Sequence, residues 1–594
     1  MSHRKPYSGT QRNLLIAIDV GTTFSGVSYC LLDPGLVPEI KAVTRFPAQE
    51  HVGGDAKIHS IIYYGQDGSV KAVGAEAVRD GIHESVEDEG WVRCEWFKLH
   101  LRPDRKESDA VSQVVYPLPP NKTAVDVFAD FLHYLMECTK SFIIQSMPNG
   151  ASFWESVEER IQFVLSHPNG WEGSQQSQMR RAAIQAGLIT NSREDHGRVQ
   201  FVTEGEASLH YCLNNKCDAS NGGVIVVDAG GGTVDLSAYQ MEPSDKNDKL
   251  WFKEIARPQC HFTGSIFVRG QARQFLQSKL ANSRFLEDVD HITECFDKST
   301  KLTFKDADEP AFIKFGAVRD RDPDVGIRSG QMKLLGTDVA KFFEPSINSI
   351  MDAIVAMQMD CTDSTKRIDS VFLVGGFAAS DYLFKRLESF LQPTGLTICR
   401  PQSYLNKAVA DGAASFYLDH FVNSRVARWH YGVTMNGHYD ANNAEHRNRE
   451  HTTFFCADGR KVVPGVFDTI LAKAIEVEET TEFRQPYCST FFPGRLSMLQ
   501  HISTQVMCYR GDDPKPEWTD VGADKYSNLC TIKVDIASIP LAKHKRPDGQ
   551  EYYRLEYFIV LSFGLTELQA QYTWIDNGVE KRGPAEIVYD DYHS

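Results

Sequence analysis

The chain has 594 residues, 42% hydrophobic and 24% charged, with 63 Lys+Arg against 79 Asp+Glu and a net charge of −16. That length exceeds what one hydrophobic core normally supports and suggests about three to six packing units. The apolar content excludes a mostly disordered chain. The acidic balance disfavours nucleic acid or an anionic membrane as partners, but admits a small anionic ligand held by backbone amides and a cation.

Residues 1–12 are polar, lack an apolar signal core and read as a disordered tail. Residues 14–19 form an apolar run that breaks at Gly21-Thr22-Thr23 and resumes at Val27, which predicts strand, tight turn, strand. Thr123 followed by Asp126 predicts a capped helix start. Behind it Val125, Phe128, Phe131, Leu132, Leu135 and Phe142 recur at helical spacing. Residues 161–165 read as a short buried strand leading to His167-Pro168, and 179–186 as a helix ending at Gly187. Residues 222–228 repeat the opening pattern, with a turn at Gly230-Gly231-Gly232-Thr233 and an outgoing strand over 234–239. A third strand–glycine–helix unit spans 371–387, with Gly375-Gly376 at its turn. This alternation predicts an α/β fold in which two similar lobes begin with the same hairpin.

Past about residue 420 the pattern changes. Leu555, Tyr557, Ile559, Leu561 and Phe563 share one face of an alternating run, and Leu568, Ala570, Tyr572 and Trp574 repeat it before the turn signal Asp576-Asn577-Gly578. An antiparallel β module is expected, either a plain structural sheet or one that takes extended peptide at an edge. Lys543-His544-Lys545-Arg546 is too short for a nucleic-acid patch and reads as a solvated loop. The thirteen cysteines are scattered without a Cys-x-x-Cys, which argues against a disulfide scaffold or thiolate zinc site. His446, His451 and Cys456 lack a fourth ligand and read as loop residues. The longest apolar runs, 14–18 and 224–227, are far too short to span a bilayer, and the expected compartment is cytoplasmic or nuclear.

Two loops carry the chemistry: Asp19-Val-Gly-Thr-Thr and Asp228-Ala-Gly-Gly-Gly-Thr-Val-Asp235. Glycines bring backbone N–H groups against an anion, threonine hydroxyls add donors, and an aspartate beside phosphates implies a Mg²⁺ held largely through water. Neither loop is a P-loop, since Val27 stands where that loop needs a lysine.

Ile18-Asp19-Val-Gly-Thr-Thr-Phe-Ser-Gly-Val, Val227-Asp228-Ala-Gly-Gly-Gly-Thr-Val-Asp235 and Leu373-Val-Gly-Gly-Phe377 resemble the two phosphate motifs and the adenosine motif of the actin-like ATPase superfamily. Within it the chain looks most like the 70-kDa heat-shock chaperones. Thr203-Glu204-Gly-Glu-Ala-Ser resembles their connecting segment and Ala408-Val-Ala-Asp-Gly-Ala-Ala414 their closing helix. Thr263-Gly264-Ser265-Ile266-Phe267 looks more like the divergent type 12 branch. The resemblance covers roughly residues 12–420. It implies duplicated RNase-H-like lobes, over 13–205 and 206–420, around an ATP cleft, with a β-rich module over 421–594. By the same resemblance Gly21, Thr22, Thr23, Gly230, Gly231, Gly232 and Thr233 hold phosphates. Gly264, Asp297, Lys301, Gly375, Gly376 and Phe377 contact the rest of the nucleotide. Asp19 and Asp228 order the waters of Mg²⁺, and Lys98, Glu204, Asp228 and Asp235 serve catalysis. At the adenosine end, Lys301 and Ala379 stand where arginines flank the base, and Asn406 replaces an aspartate; an ammonium does not reproduce the planar face of a guanidinium.

The function this implies is an ATP-binding, slowly ATP-hydrolysing chaperone-like protein, with ATP/ADP and Mg²⁺ as ligands and unfolded or extended peptides as partners. The alternatives are a small-molecule or sugar kinase of the same superfamily, in which Asp228 would serve as base, and a nucleotide-binding scaffold without hydrolysis.

Overall fold

A computed structural model of the chain describes residues 4–49, 56–102, 115–171, 173–217, 219, 222–242, 251–361, 367–401, 407–478, 481–496, 500–564 and 567–583. Contacts divide the chain into two compact units, Met1–Trp171 with Gln178–Val422, and Glu172–Ser177 with Asn423–Ser594.

In the first unit β1 (Asn13–Val20) and β2 (Phe24–Leu32) form the expected antiparallel hairpin, with Asp19 opposite Gly26. Short β3 (Lys57–His59) adds to β2 and sets Lys57 opposite Gly26. Helix α1 (Ala124–Ser146) starts on the capping box read from sequence: Thr123 Oγ1 accepts from Asp126 N at 3.2 Å, and Asp126 accepts from Thr123 N at 2.9 Å. Its buried stripe, Val125, Phe128, Phe131, Leu132 and Leu135, shares a core with Leu14, Ile16 and Ile18 of β1. Strand β4 (Gln162–His167) runs parallel to β1, and β5 (Val199–Thr203) parallel to β4; helix α2 (Glu204–Asn214) leaves the end of β5.

The arrangement then recurs. Strands β6 (Gly223–Ala229) and β7 (Val234–Glu242) form a hairpin with Asp228 opposite Asp235. After helices α3 (Ser265–Lys279) and α4 (Gly336–Asp360), β8 (Ile368–Val374) runs parallel to β6, and β9 (Thr397–Cys399) parallel to β8. Helix α5 (Ala408–Asp419) crosses α2 so closely that a methyl on Gly412 would lie 1.8 Å from Ala207 O.

Residues 4–12 are not the disordered tail expected. Tyr7 N donates to Leu36 O at 2.8 Å, Gly35 N donates to Tyr7 O at 2.9 Å, and the Arg4 guanidinium forks onto both oxygens of Asp419 at 2.8 and 2.7 Å. Local polarity concealed a partner 415 positions away.

In the second unit β10 (His430–His438), β11 (Lys461–Leu471), β12 (Glu482–Phe491), β13 (His501–Tyr509), β14 (Tyr526–Asp535), β15 (Glu551–Gly564), β16 (Glu567–Asp576) and β17 (Val579–Arg582) build two antiparallel sheets, ordered β11-β10-β13-β14 and β12-β15-β16-β17. Val433, Val506 and Ile532 of the first share a core with Leu555, Ile559, Leu561, Tyr572 and Trp574 of the second. The alternation read from sequence is thus the buried face of β15 and β16, although Val560 on the other face of β15 is buried too; the side chain of Phe563 lies outside the described residues. Asn577 and Gly578, at φ 51° and 78°, make the turn between β16 and β17. Among the described residues from Asn423 onward no α-helix exceeds the five of Ala444–Asn448.

Candidate functional site

The carboxyl ends of β1, β6 and β8 open onto a cavity of about 820 Å³ in the first unit. This is the end of a parallel α/β sheet at which ligands generally bind, and the volume is that of a small-molecule site. Asp19, Gly21, Thr22, Thr23, Lys98, Glu204, Asp228, Gly230, Gly231, Thr233, Gly375 and Gly376 all line it. Five separate stretches of sequence therefore meet there.

The two glycine–threonine turns face each other at contact distance. A methyl on Gly231 would lie 2.3 Å from Thr23 Oγ1, and one on Gly232 would lie 2.6 Å from Thr22 Oγ1. Any side chain at either position would push the turns apart. The second turn is braced from behind by the start of α3: Gly264 N donates to Gly232 O at 3.2 Å, Ser265 N to Gly230 O at 3.1 Å and Ile266 N to Gly231 O at 3.0 Å. Gly375, at φ 91°, holds a left-handed conformation beside Asp228, where a Cβ would come within 2.4 Å of Oδ1.

Charge is concentrated and largely dry. Lys98 Nζ donates to Glu204 Oε1 at 2.5 Å, and both residues are buried. Glu204 opens α2, but the helix is capped by Thr203, whose hydroxyl accepts from Glu206 N. Glu204 is thereby left to face the cavity. Lys57 Nζ donates to Asp19 Oδ2 at 2.7 Å, while Ser166 Oγ donates to Asp19 Oδ1 at 2.9 Å. Ser208 Oγ donates to Asp228 Oδ2 at 2.8 Å, and Asn169 N donates to Asp235 Oδ1 at 2.6 Å. Burial would raise the Asp19 carboxyl, but Lys57 and Lys98 outweigh it and hold it below the usual range. Burial likewise opposes the Lys98 charge, and Glu204 with Asp19 more than restores it. Asp228 is pushed up to about 7 by burial and then by the Glu204 charge; the same two causes raise Asp235 well above an ordinary carboxyl.

Some expected contacts fall elsewhere. Gly232, Gly264 and Asp235 stand behind the lining rather than in it. Phe377 is buried in the core, where its ring stacks on Phe343 at 6.1 Å, because the turn after Gly376 directs it inward. Asp297 and Lys301 form an ion pair with each other and line a neighbouring cavity of about 340 Å³ that also touches Thr22 and Thr23. Asn406 lies outside the described residues.

Two charged lining residues, Lys57 and Arg400, were not legible in the sequence. Lys57 sits in a three-residue strand with no motif of its own. Arg400 follows the edge strand β9 and lines the cavity with Ala379; it donates to Ala378 O at 3.2 Å and lies 4.7 Å over the Phe384 ring. Neither Lys57 nor Arg400 belongs to a motif, and only the fold brings them to the cavity.

No family model matches the chain. Heat shock 70 kDa protein 12B of Homo sapiens is 22% identical over 673 aligned positions, covering 97% of this chain and 91% of that protein. Heat shock 70 kDa protein 12A is 23% identical in both Mus musculus, over 94% of this chain and 89% of that protein, and Homo sapiens, over 98% and 92%. The chain resembles the type 12 branch of the 70-kDa heat-shock proteins. Its mixed α/β architecture is consistent with the actin-like ATPase fold of that group. The type 12 likeness also runs past residue 420, where the sequence motifs end, and into the second unit. Among the described residues no helix is long and apolar enough to cross a membrane.

Proposed function

We propose that this chain is an ATP-binding, slowly hydrolysing, chaperone-like protein of the heat-shock 70-kDa type. In this reading residues 13–205 and 206–420 are duplicated RNase-H-like lobes that close on nucleotide, and the β-rich module over 421–594 responds to that closure and takes extended peptide at a strand edge. The observation that carries the reading is the apposition of Thr22 and Thr23 with Gly231 and Gly232, the first three of which line the cavity. Two facing sets of hydroxyls and side-chain-free backbone suit a polyphosphate held from both sides.

The donor set suits Mg²⁺, a hard cation that takes oxygen ligands. Among the described residues no three His, Cys, Asp or Glu form a direct cage, and Asp19 and Asp228 already accept hydrogen bonds from Lys57, Ser166 and Ser208. Both carboxylates would therefore hold the ion's waters rather than the ion. Bound there, Mg²⁺ supplies positive charge to the phosphate oxygens. Lys98 adds a fixed cation and Glu204 an acceptor for the attacking water, each oriented by the other. Lys57 contributes a second ammonium, and Arg400 supplies at the adenosine end the planar cation that Lys301 and Ala379 lack.

A thermal shift with Mg-ATP, followed by phosphate release on the same sample without an added acceptor, tests the reading. The expected result is a raised melting temperature with slow release that Lys98→Ala or Glu204→Ala abolishes. Absence of any shift removes the nucleotide reading altogether. Binding without release leaves the scaffold, and release that needs a hydroxyl acceptor leaves the kinase.

A further inference from the structure

Three thiols meet in a small apolar core under the candidate site. Cys212 lies in the last turn of α2, Cys217 follows that helix, and Cys399 ends β9. Leu209, Val224, Phe372 and Val374 pack around them. Cys217 Sγ is 3.6 Å from Cys399 Sγ, though the two are 182 positions apart in sequence. A disulfide needs about 2.05 Å, so closure requires an approach of only about 1.5 Å. The Cys212 thiol hydrogen-bonds Cys217 and draws it down to about 7, whereas burial pushes Cys399 up to about 11. One sulfur is therefore a ready nucleophile at neutral pH and its neighbour a protonated thiol. None of the proposed nucleotide chemistry uses these groups.

We propose that Cys217 and Cys399 form a hydroperoxide-sensitive modification site that closes reversibly into a disulfide. The Cys217 thiolate attacks one peroxide oxygen, the O–O bond breaks, and the departing oxygen takes a proton and leaves as water or an alcohol. Cys399 sulfur then attacks the sulfenic sulfur, an S–S bond forms, and the hydroxide expelled from sulfur takes the Cys399 proton to give a second water. The peroxide is reduced by two electrons and the thiol pair loses two. Cys217 is only 8% exposed, so a small hydroperoxide suits the site better than a bulky disulfide oxidant. The bond would tie the end of α2, whose first residue is Glu204, to the strand that precedes Arg400. That link to the cavity rests on the nucleotide reading above; the disulfide itself does not.

The test treats the folded full-length chain with hydrogen peroxide, blocks remaining thiols by alkylation and maps the peptides by mass. A Cys217–Cys399 linkage is expected that dithiothreitol reverses, that Cys399→Ser abolishes and that Cys361→Ser leaves unchanged. A Cys212–Cys217 linkage instead, or no linkage until the chain is denatured, overturns the proposal. Mg-ATP titrations of the oxidised and reduced forms then read the coupling. An altered apparent affinity is expected, and equal affinities would refute the coupling. If neither form binds nucleotide, the functional reading fails while the linkage result stands.

Discussion

Lys98 and Glu204 come from segments 106 positions apart and meet where almost no water reaches them. A buried pair of this kind contributes little net stability, but removing one member strands the other. Lys98→Ala should cost about 3–5 kcal/mol in urea unfolding, and Lys98→Met with Glu204→Gln should recover much of that loss. A loss in the double variant equal to the sum of those in Lys98→Met and Glu204→Gln alone would mean that the pair is not coupled. Cys217 offers a pH-dependent readout. Because its thiol is drawn down to about 7 from 9.0, its alkylation should rise with pH through that region, and Cys212→Ala, which removes the hydrogen bond, should move the midpoint upward. An ordinary thiol profile in the unaltered protein would contradict this. At this scale Asp19, Thr22, Thr23 and Gly230–Thr233 were legible because a turn's chemistry is local. Lys57 and Arg400 were not, because a three-residue strand and the residue after an edge strand have no periodicity to betray their direction.

The two hairpins, α1 and its capping box, and the β16–β17 turn could all be read from sequence, since each rests on neighbours within a few positions. The crossing of α2 and α5 could not. Gly412 reads as one more small residue until Ala207 O is found where its Cβ would stand. Gly412→Ala should therefore destabilise the first unit by about 1–3 kcal/mol, as overpacking does, and thermal unfolding would show it; a neutral substitution would mean that the helices part easily. The Arg4–Asp419 fork makes a second prediction. Burial would raise the Asp419 carboxyl, but the bond from Arg4 outweighs it and holds the group below its ordinary value. A carboxyl lowered on folding stabilises above its unfolded pKa of about 3.9 and loses that contribution as pH falls through the folded value. Asp419→Asn should therefore lower the urea midpoint at neutral pH and flatten its fall in acid. Parallel pH profiles for the two proteins would refute the assignment.

Each of the two units has its own hydrophobic core, so calorimetry should resolve more than one transition. Mg-ATP at about a hundred times its dissociation constant should stabilise the transition of the first unit by about 2.7 kcal/mol. A shift confined to the other transition would place the nucleotide outside the cavity. The net charge of −16 is no obstacle to such a ligand, because distant charges are screened and Lys57, Lys98 and Arg400 in the cavity lining match its carboxylates Asp19, Glu204 and Asp228. The sequence by itself determined the α/β alternation, the repeated Asp–Gly–Thr turns and the β character of the last third, all of which follow from periodicity and turn chemistry within short windows. Only the tertiary structure decided that the turns stand face to face and that Phe377 points inward. Only it showed that the tail is anchored on Asp419 and that two distant thiols lie 3.6 Å apart. These are outcomes of packing between segments hundreds of residues apart, and local pattern does not encode which distant partner a side chain will meet.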